Sequence, residues 1–177
     1  MSIKNKKILI IIGGGIAAYK SLDLIRLLKK NKNEIKTIIT KSGKEFVTPL
    51  SISTLTKNKT YEDIFSKVSE TEIDHISLSR WADLILFAPA SANKIAQLSN
   101  GLAEDLSTTL ALASDKVIFL APAMNVRMWE NIITKKNLKK LINAKYKIIG
   151  PSIGEMACGE YGRGKFLEPL EISNKIN

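Results

Sequence analysis

Three single residues and one glycine turn carry what chemistry this chain can do. His75, in EIDHISLSRWADL, is the only histidine, and an imidazole is the best general base the chain offers. Cys158 is the only cysteine and lies in GPSIGEMACGEYGRGKFLEP, among glycines at 150, 154, 159, 162 and 164. A thiol flanked by Gly159 and Glu160 is placed to act on a ligand, where a core cysteine would be inert. Asn125, in APAMNVRMWEN, offers a neutral amide that can hold a carboxylate without fixing a charge. Residues 13–18, GGGIAA, put glycines between an apolar run and a helix, where backbone N–H groups approach phosphate. One histidine and one cysteine far apart make a poor ligand set, so no metal site is expected.

The glycine turn formally fits a dinucleotide fingerprint through Gly13, Gly15 and Ala18. That fingerprint also needs an acid after the second strand to hold the ribose hydroxyls. Thr40, Lys41 and Ser42 stand there instead. Hydroxyls and a lysine favour an anion, so a mononucleotide such as FMN fits better than NAD. A glycine turn needed only for tight packing is the alternative.

These groups need elements to position them. Apolar runs at Lys7–Ile12, Ile35–Thr40, Leu84–Ala88, Val117–Leu120 and Lys147–Ile149 read as strands. Helical periods fall between them, at Ala17–Lys30, from about Ser42 towards Pro49, from Ser91 to Gly101, at Leu102–Ser114 and at Met128–Asn143. The His75 stretch is also helical in spacing, through Ile73, Ile76 and Leu78. Thr48–Thr60 is ambiguous, and Gly150–Gly164 reads as a long binding loop or lid. Alternating strands and helices predict an α/β fold: one domain, residues 1–177, with a mainly parallel sheet covered on both faces. Ligands then collect beyond the carboxyl ends of the strands, where GGG, TKS, PASAN and PAMN all lie. Pro89 is expected to end its strand, with Ser91 or Asn93 capping the next helix. Met128 and Trp129 read as packing residues.

The net charge of +10 invites a nucleic-acid reading. The lysines are scattered or gathered at helix ends, where they suit the dipole, so none is expected. The start, MSIKNKKILIIIGGG, imitates a signal peptide, but its apolar run is short and enters the glycine turn directly. No membrane span and a reducing, cytoplasmic compartment are the expectations.

GGGIAAYK, His75, PASANK, PAMNVRMW and ACGEYGRG, in that order from about Lys7 to Pro169, resemble the flavin-dependent cysteine decarboxylases. The resemblance is strongest to the branch serving coenzyme A biosynthesis. It implies a Rossmann-like, three-layer flavoprotein fold that binds FMN between subunits of a homotrimer, often assembled into a dodecamer. It implies FMN contacts from Gly14, Gly15 and Ile16, from Thr40, Lys41 and Ser42, from Ser91, Ala92, Asn93 and Lys94, and from Ala123. It makes His75 the catalytic base, Asn125 the carboxylate contact and Cys158 the proton donor, with Met128 and Ala157 beside the substrate. The implied reaction is decarboxylation of 4'-phosphopantothenoylcysteine to 4'-phosphopantetheine.

The chain departs from the family pattern at Lys94, where threonine is usual, and at Lys165, where arginine is common. Family members are frequently fused to a ligase that makes their substrate. A chain of 177 residues is therefore expected to be a stand-alone enzyme, with a separate ligase partner, or an excised domain. A peptidyl-cysteine decarboxylase, which stops at the enethiol, is the nearest alternative, and the cysteine-bearing loop argues against it. A non-catalytic flavoprotein and a prenyl-flavin transferase are further alternatives.

Overall fold

The run KILIII makes strand β1, Lys7–Ile12, and its alternation fixes the layers around it. Ile8, Ile10 and Ile12 face one buried cluster, and Leu9 and Ile11 face the other. A strand apolar on both sides needs cover on both sides. The computed structural model describes residues 3–62 and 74–176, and in it β1 is central to a six-stranded, wholly parallel sheet. The other strands are β2 (Glu34–Ile39), β3 (Thr60–Tyr61), β4 (Leu84–Ala90), β5 (Val117–Pro122) and β6 (Lys147–Ile148), in the order β3-β2-β1-β4-β5-β6.

One face is covered by α1 (Lys20–Lys30), α2 (Pro49–Thr56) and α8 (Pro169–Lys175), through Leu24, Ile25, Leu28, Ile52 and Ile172. The other is covered by α3 (Asp74–Trp81), α4 (Ala92–Ser99), α5 (Leu106–Leu112), α6 (Val126–Glu130) and α7 (Ile132–Asn143). Their buried anchors include Leu78, Ile95, Leu110, Trp129 and Leu138. The three-layer α/β expectation is met. Strand order reverses between β1 and β4, and that switch point is where an open α/β sheet leaves a crevice.

Several expectations are corrected. No helix runs from Ser42 to Pro49; only a single 3-10 turn, Gly43–Glu45, forms. The helix starts later, at α2, where Thr48 caps the Ser51 N–H and Pro49 takes the first position. Ala17–Lys30 divides into a 3-10 turn, Ile16–Tyr19, and α1. Pro89 does not end β4, which continues to Ala90 with a register shift between Phe87 and Ala90. The helix expected from Leu102 begins only at Leu106, behind an Asp105 capping box. Met128–Asn143 is two helices, parted at Asn131, whose side chain accepts from the Ile133 N–H. The Gly150–Gly164 loop is a hairpin of β7 (Ser152–Glu155) and β8 (Tyr161–Lys165), antiparallel and outside the main sheet. Ile73, part of the period around His75, lies outside the described residues. No helix among the described residues is long and apolar enough to cross a membrane.

Candidate functional site

Three strand ends are pulled together at the switch point by backbone contact that only small residues allow. The Gly13 N–H donates to the Pro89 carbonyl at 3.2 Å, and a Cβ on Gly13 would stand 2.5 Å from that oxygen. Gly14 backs onto Ser42, whose Cβ would collide with any side chain there. The turn after β2 is tied to β1 twice, through Thr40 N–H (3.1 Å) and Thr40 Oγ1 (3.2 Å), both donating to the Ile12 carbonyl. Thr40 Oγ1 also accepts from the Gly43 N–H. Gly14, Gly15, Thr40, Lys41 and Ser42 therefore form one surface. Gly15, at φ 135°, adopts backbone that side chains resist, and nothing lies within 4 Å of where its Cβ would be.

Beyond β4, Ser91 caps α4 by accepting from the Lys94 N–H, with Asn93 exposed beside it. Ala123 joins the same surface by donating its N–H to the Ala90 carbonyl at 3.1 Å. Lys94 turns away from it. The side chain is buried, and its Nζ donates to Asp105 Oδ2 at 2.6 Å. Asp105 also receives the Ser107 hydroxyl and the Thr108 N–H and hydroxyl. Burial alone would raise this carboxyl, but Lys94, Ser107 and Thr108 outweigh it and hold Asp105 at about 2. Any contact from Lys94 to a ligand falls to its backbone.

A cleft of about 710 Å³ opens beside this surface, within the range of cofactor sites. It brings together Gly15, Ile16, Ala123, Asn125, Ala157 and Cys158. Asn125 caps α6: its Oδ1 accepts from the Met128 N–H at 2.8 Å, which directs Nδ2 outward as a donor. Ala157 and Cys158 are exposed at the tip of the β7–β8 hairpin, with Cys158 Sγ 3.9 Å from Glu160 Oε2. The hairpin is held against the turn between β5 and α6 by the Met124 N–H, donating to the Gly164 carbonyl at 3.1 Å. Gly164 is required there, since a Cβ would strike the Met124 carbonyl oxygen.

Other predicted residues stand outside the cleft lining. Met128 is exposed on α6, and the Thr40, Ser42 and Ser91 turns lie at the sheet end. His75 is on α3, in the layer on the other side of the sheet from α1. Its Nδ1 is buried without a hydrogen-bond partner among the described residues. Sequence reasoning missed Tyr19, Lys20, Glu155, Met156, Lys165 and Phe166 as lining residues. The glycines at 154, 162 and 164 signalled close packing there, but not which side chains would face inward.

The chain has known counterparts. A family model described as Flavoprotein matches residues 1–177. The chain belongs to the flavoprotein family. Among relatives of this flavoprotein, the coenzyme A biosynthesis bifunctional protein CoaBC of Haemophilus influenzae is 44% identical over 177 residues. The alignment covers 100% of this chain and 44% of that protein. The CoaBC of Vibrio vulnificus is 43% identical over 97% of this chain and 43% of its own length. The flavoprotein chain thus spans less than half of these relatives. A solved PPC decarboxylase, a cysteine-to-serine mutant complexed with pantothenoylaminoethenethiol, is 30% identical with a TM-score of 0.86. That match covers 98% of this chain and 97% of the other. The FMN binding protein AtHal3 is 31% identical, with a TM-score of 0.83, over 98% and 95% of the two chains.

Proposed function

We propose that this flavoprotein binds FMN and decarboxylates 4'-phosphopantothenoylcysteine to 4'-phosphopantetheine in coenzyme A biosynthesis. The observation that carries this is the convergence of Asn125 and Cys158 on one cleft beside the open backbone of Gly15. The surface at the sheet end suits a cofactor with a phosphate. Glycines admit close approach, the starts of the Ile16–Tyr19 turn and of α4 present N–H groups, and Lys41 and Ser42 are exposed beside them. Gly14, Gly15 and Ile16, the 40–42 turn, the Ser91–Lys94 backbone and Ala123 would hold FMN. What flavin supplies is reversible two-electron exchange with a thiol-bearing carbon, giving the neighbouring carboxyl an electron sink.

The residues do the rest. Asn125, locked by its cap, presents Nδ2 to the substrate carboxylate and fixes its orientation without charge. Cys158, at the hairpin tip, donates the proton that the enethiolate needs after carbon dioxide leaves. His75 would serve as base, and its place on α3, outside the cleft lining, suits action on the cleft of another copy. Exposed Ile16 (58%) and Tyr19 (51%) at the cleft rim suit such a contact. A homotrimer, able to build a dodecamer, is the assembly we infer. The ligase that makes the substrate is assigned to a further segment or a separate partner, and the compartment to the cytoplasm.

The test is the purified protein's visible spectrum, followed by mass spectrometry of the product. Oxidised-flavin absorbance and formation of the saturated thiol, 4'-phosphopantetheine, support the proposal. A colourless active enzyme, or a product short of one hydrogen pair, would contradict it.

A further inference from the structure

The cleft contains two ammonium groups in different surroundings. Lys20 Nζ donates to Glu168 Oε1 at 2.6 Å, so its charge is balanced where it stands. Lys165, half-buried on β8, has no carboxylate within ion-pair distance among the described residues. Strand β7 makes room for its stem: a Cβ on Gly154 would lie 3.0 Å from Lys165 Cδ and 3.3 Å from Nζ. Lys165 pairs with Ser152, and Gly154 is two residues nearer the tip, so the stem runs along the hairpin wall towards the Cys158 end. The only acid in the cleft lining, Glu155, is exposed. An ammonium that faces a cleft without a carboxylate partner is free to make a charge-assisted hydrogen bond to an anion.

We propose that Lys165 binds the phosphate of the substrate, remote from the reacting carboxyl, and selects the phosphorylated substrate over its unphosphorylated form. This rests on the decarboxylase reading above. The reacting carboxylate is the wrong partner for such a cation. Decarboxylation moves negative charge off the carboxylate, so a lysine bound there would stabilise the ground state more than the transition state. Neutral Asn125 avoids that penalty. A phosphate that takes no part in the reaction can accept a full charge without slowing it.

The experiment compares wild-type, Lys165→Met and Lys165→Arg holoenzymes. Calorimetry measures binding of 4'-phosphopantothenate and of pantothenate, and kinetics use the cysteinyl derivatives of both. The wild type should bind the phosphorylated ligand at least about tenfold more tightly, as one charge-assisted contact allows. Lys165→Met should abolish that preference and raise KM for the phosphorylated substrate by a similar factor. KM for the unphosphorylated one, and both kcat values, should stay put. Lys165→Arg should restore the preference. An undiminished preference in Lys165→Met overturns the proposal, as does an equal loss on both ligands. FMN titration of Lys165→Met separates the other source of phosphate: weakened cofactor binding would assign Lys165 to FMN and also overturn it. If the wild type binds flavin yet turns over neither substrate, the decarboxylase reading fails, while the calorimetric comparison still decides the role of Lys165.

Discussion

The two walls of the site are built in opposite ways. At the sheet end, function falls to backbone held by buried structure: Gly13 against Pro89, Gly14 against Ser42, Thr40 tied to Ile12, and Ser91 capping α4. On the hairpin, function falls to side chains on two short strands outside the main sheet, with Cys158 exposed at the tip. The close-packed glycines of the first wall cannot be altered without disturbing the fold. The exposed side chains at the tip of the second can, because few buried contacts depend on them. Under the proposed function, this division would hold the cofactor rigidly and leave the proton donor on a separate element.

If the division is real, damage to the hairpin tip should abolish formation of the saturated product and spare the fold. Cys158→Ser should lower formation of the saturated product by about a hundredfold or more, the usual scale for general acid–base catalysis, with melting temperature and flavin content unchanged. A joint loss of flavin and activity would erase the contrast.

The next largest effect sharpens it at the boundary between the walls. Asn125→Asp preserves the α6 cap, since aspartate caps as well as asparagine, but sets a negative charge against the substrate carboxylate. Activity should fall by about tenfold or more with stability within about 0.5 kcal/mol of wild type, read by thermal melting and steady-state rates. Asn125→Ala, which loses the cap as well, should cost about 1 kcal/mol.

Co-expression probes the proposed assembly, which would bring His75 to the cleft of another copy. His75→Asn and Cys158→Ser chains should each be inactive and yellow when alone. Mixed oligomers should regain part of the activity, because one intact site can be assembled from two copies. No recovery would confine the site to one chain.

On the structural side, Asp105→Ala leaves the buried Lys94 ammonium unpaired. It should cost about 2 kcal/mol in urea denaturation, the scale of a hydrogen bond to a charged group, discounted for the partial exposure of Asp105. The same pair sets a smaller pH effect. The folded-state pKa of Asp105 lies below its ordinary 3.8, at about 2. Its contribution is therefore present above pH 3.8 and is lost as pH falls through about 2. Wild type should lose more stability than Lys94→Met across that acid window.

The contrast also explains what could be read in advance. Strands β1, β2, β4 and β5 were legible because each is an apolar run buried in the sheet. Their order placed GGG, TKS, PASAN and PAMN at one end. The hairpin was not legible: SIGE and YGRGK carry no alternating apolar face, because little of it is buried. The helix from Ser42 failed on Gly43, which packs where a Cβ would stand 2.6 Å from the Ile12 carbonyl oxygen. In α2, β-branched residues masked the signal that Thr48 and Pro49 gave. Lys94 is the clearest case of tertiary context deciding. Its neighbours in PASANK open α4 at the sheet end, while Asp105, eleven residues on, takes the side chain into the protein.

The most direct test of the account is the product made by the Cys158→Ser holoenzyme under conditions where the wild type makes the saturated thiol. The account predicts that carbon dioxide is still released while the product stays one hydrogen pair short. Saturated product at the wild-type rate would show that the hairpin thiol is not the proton donor.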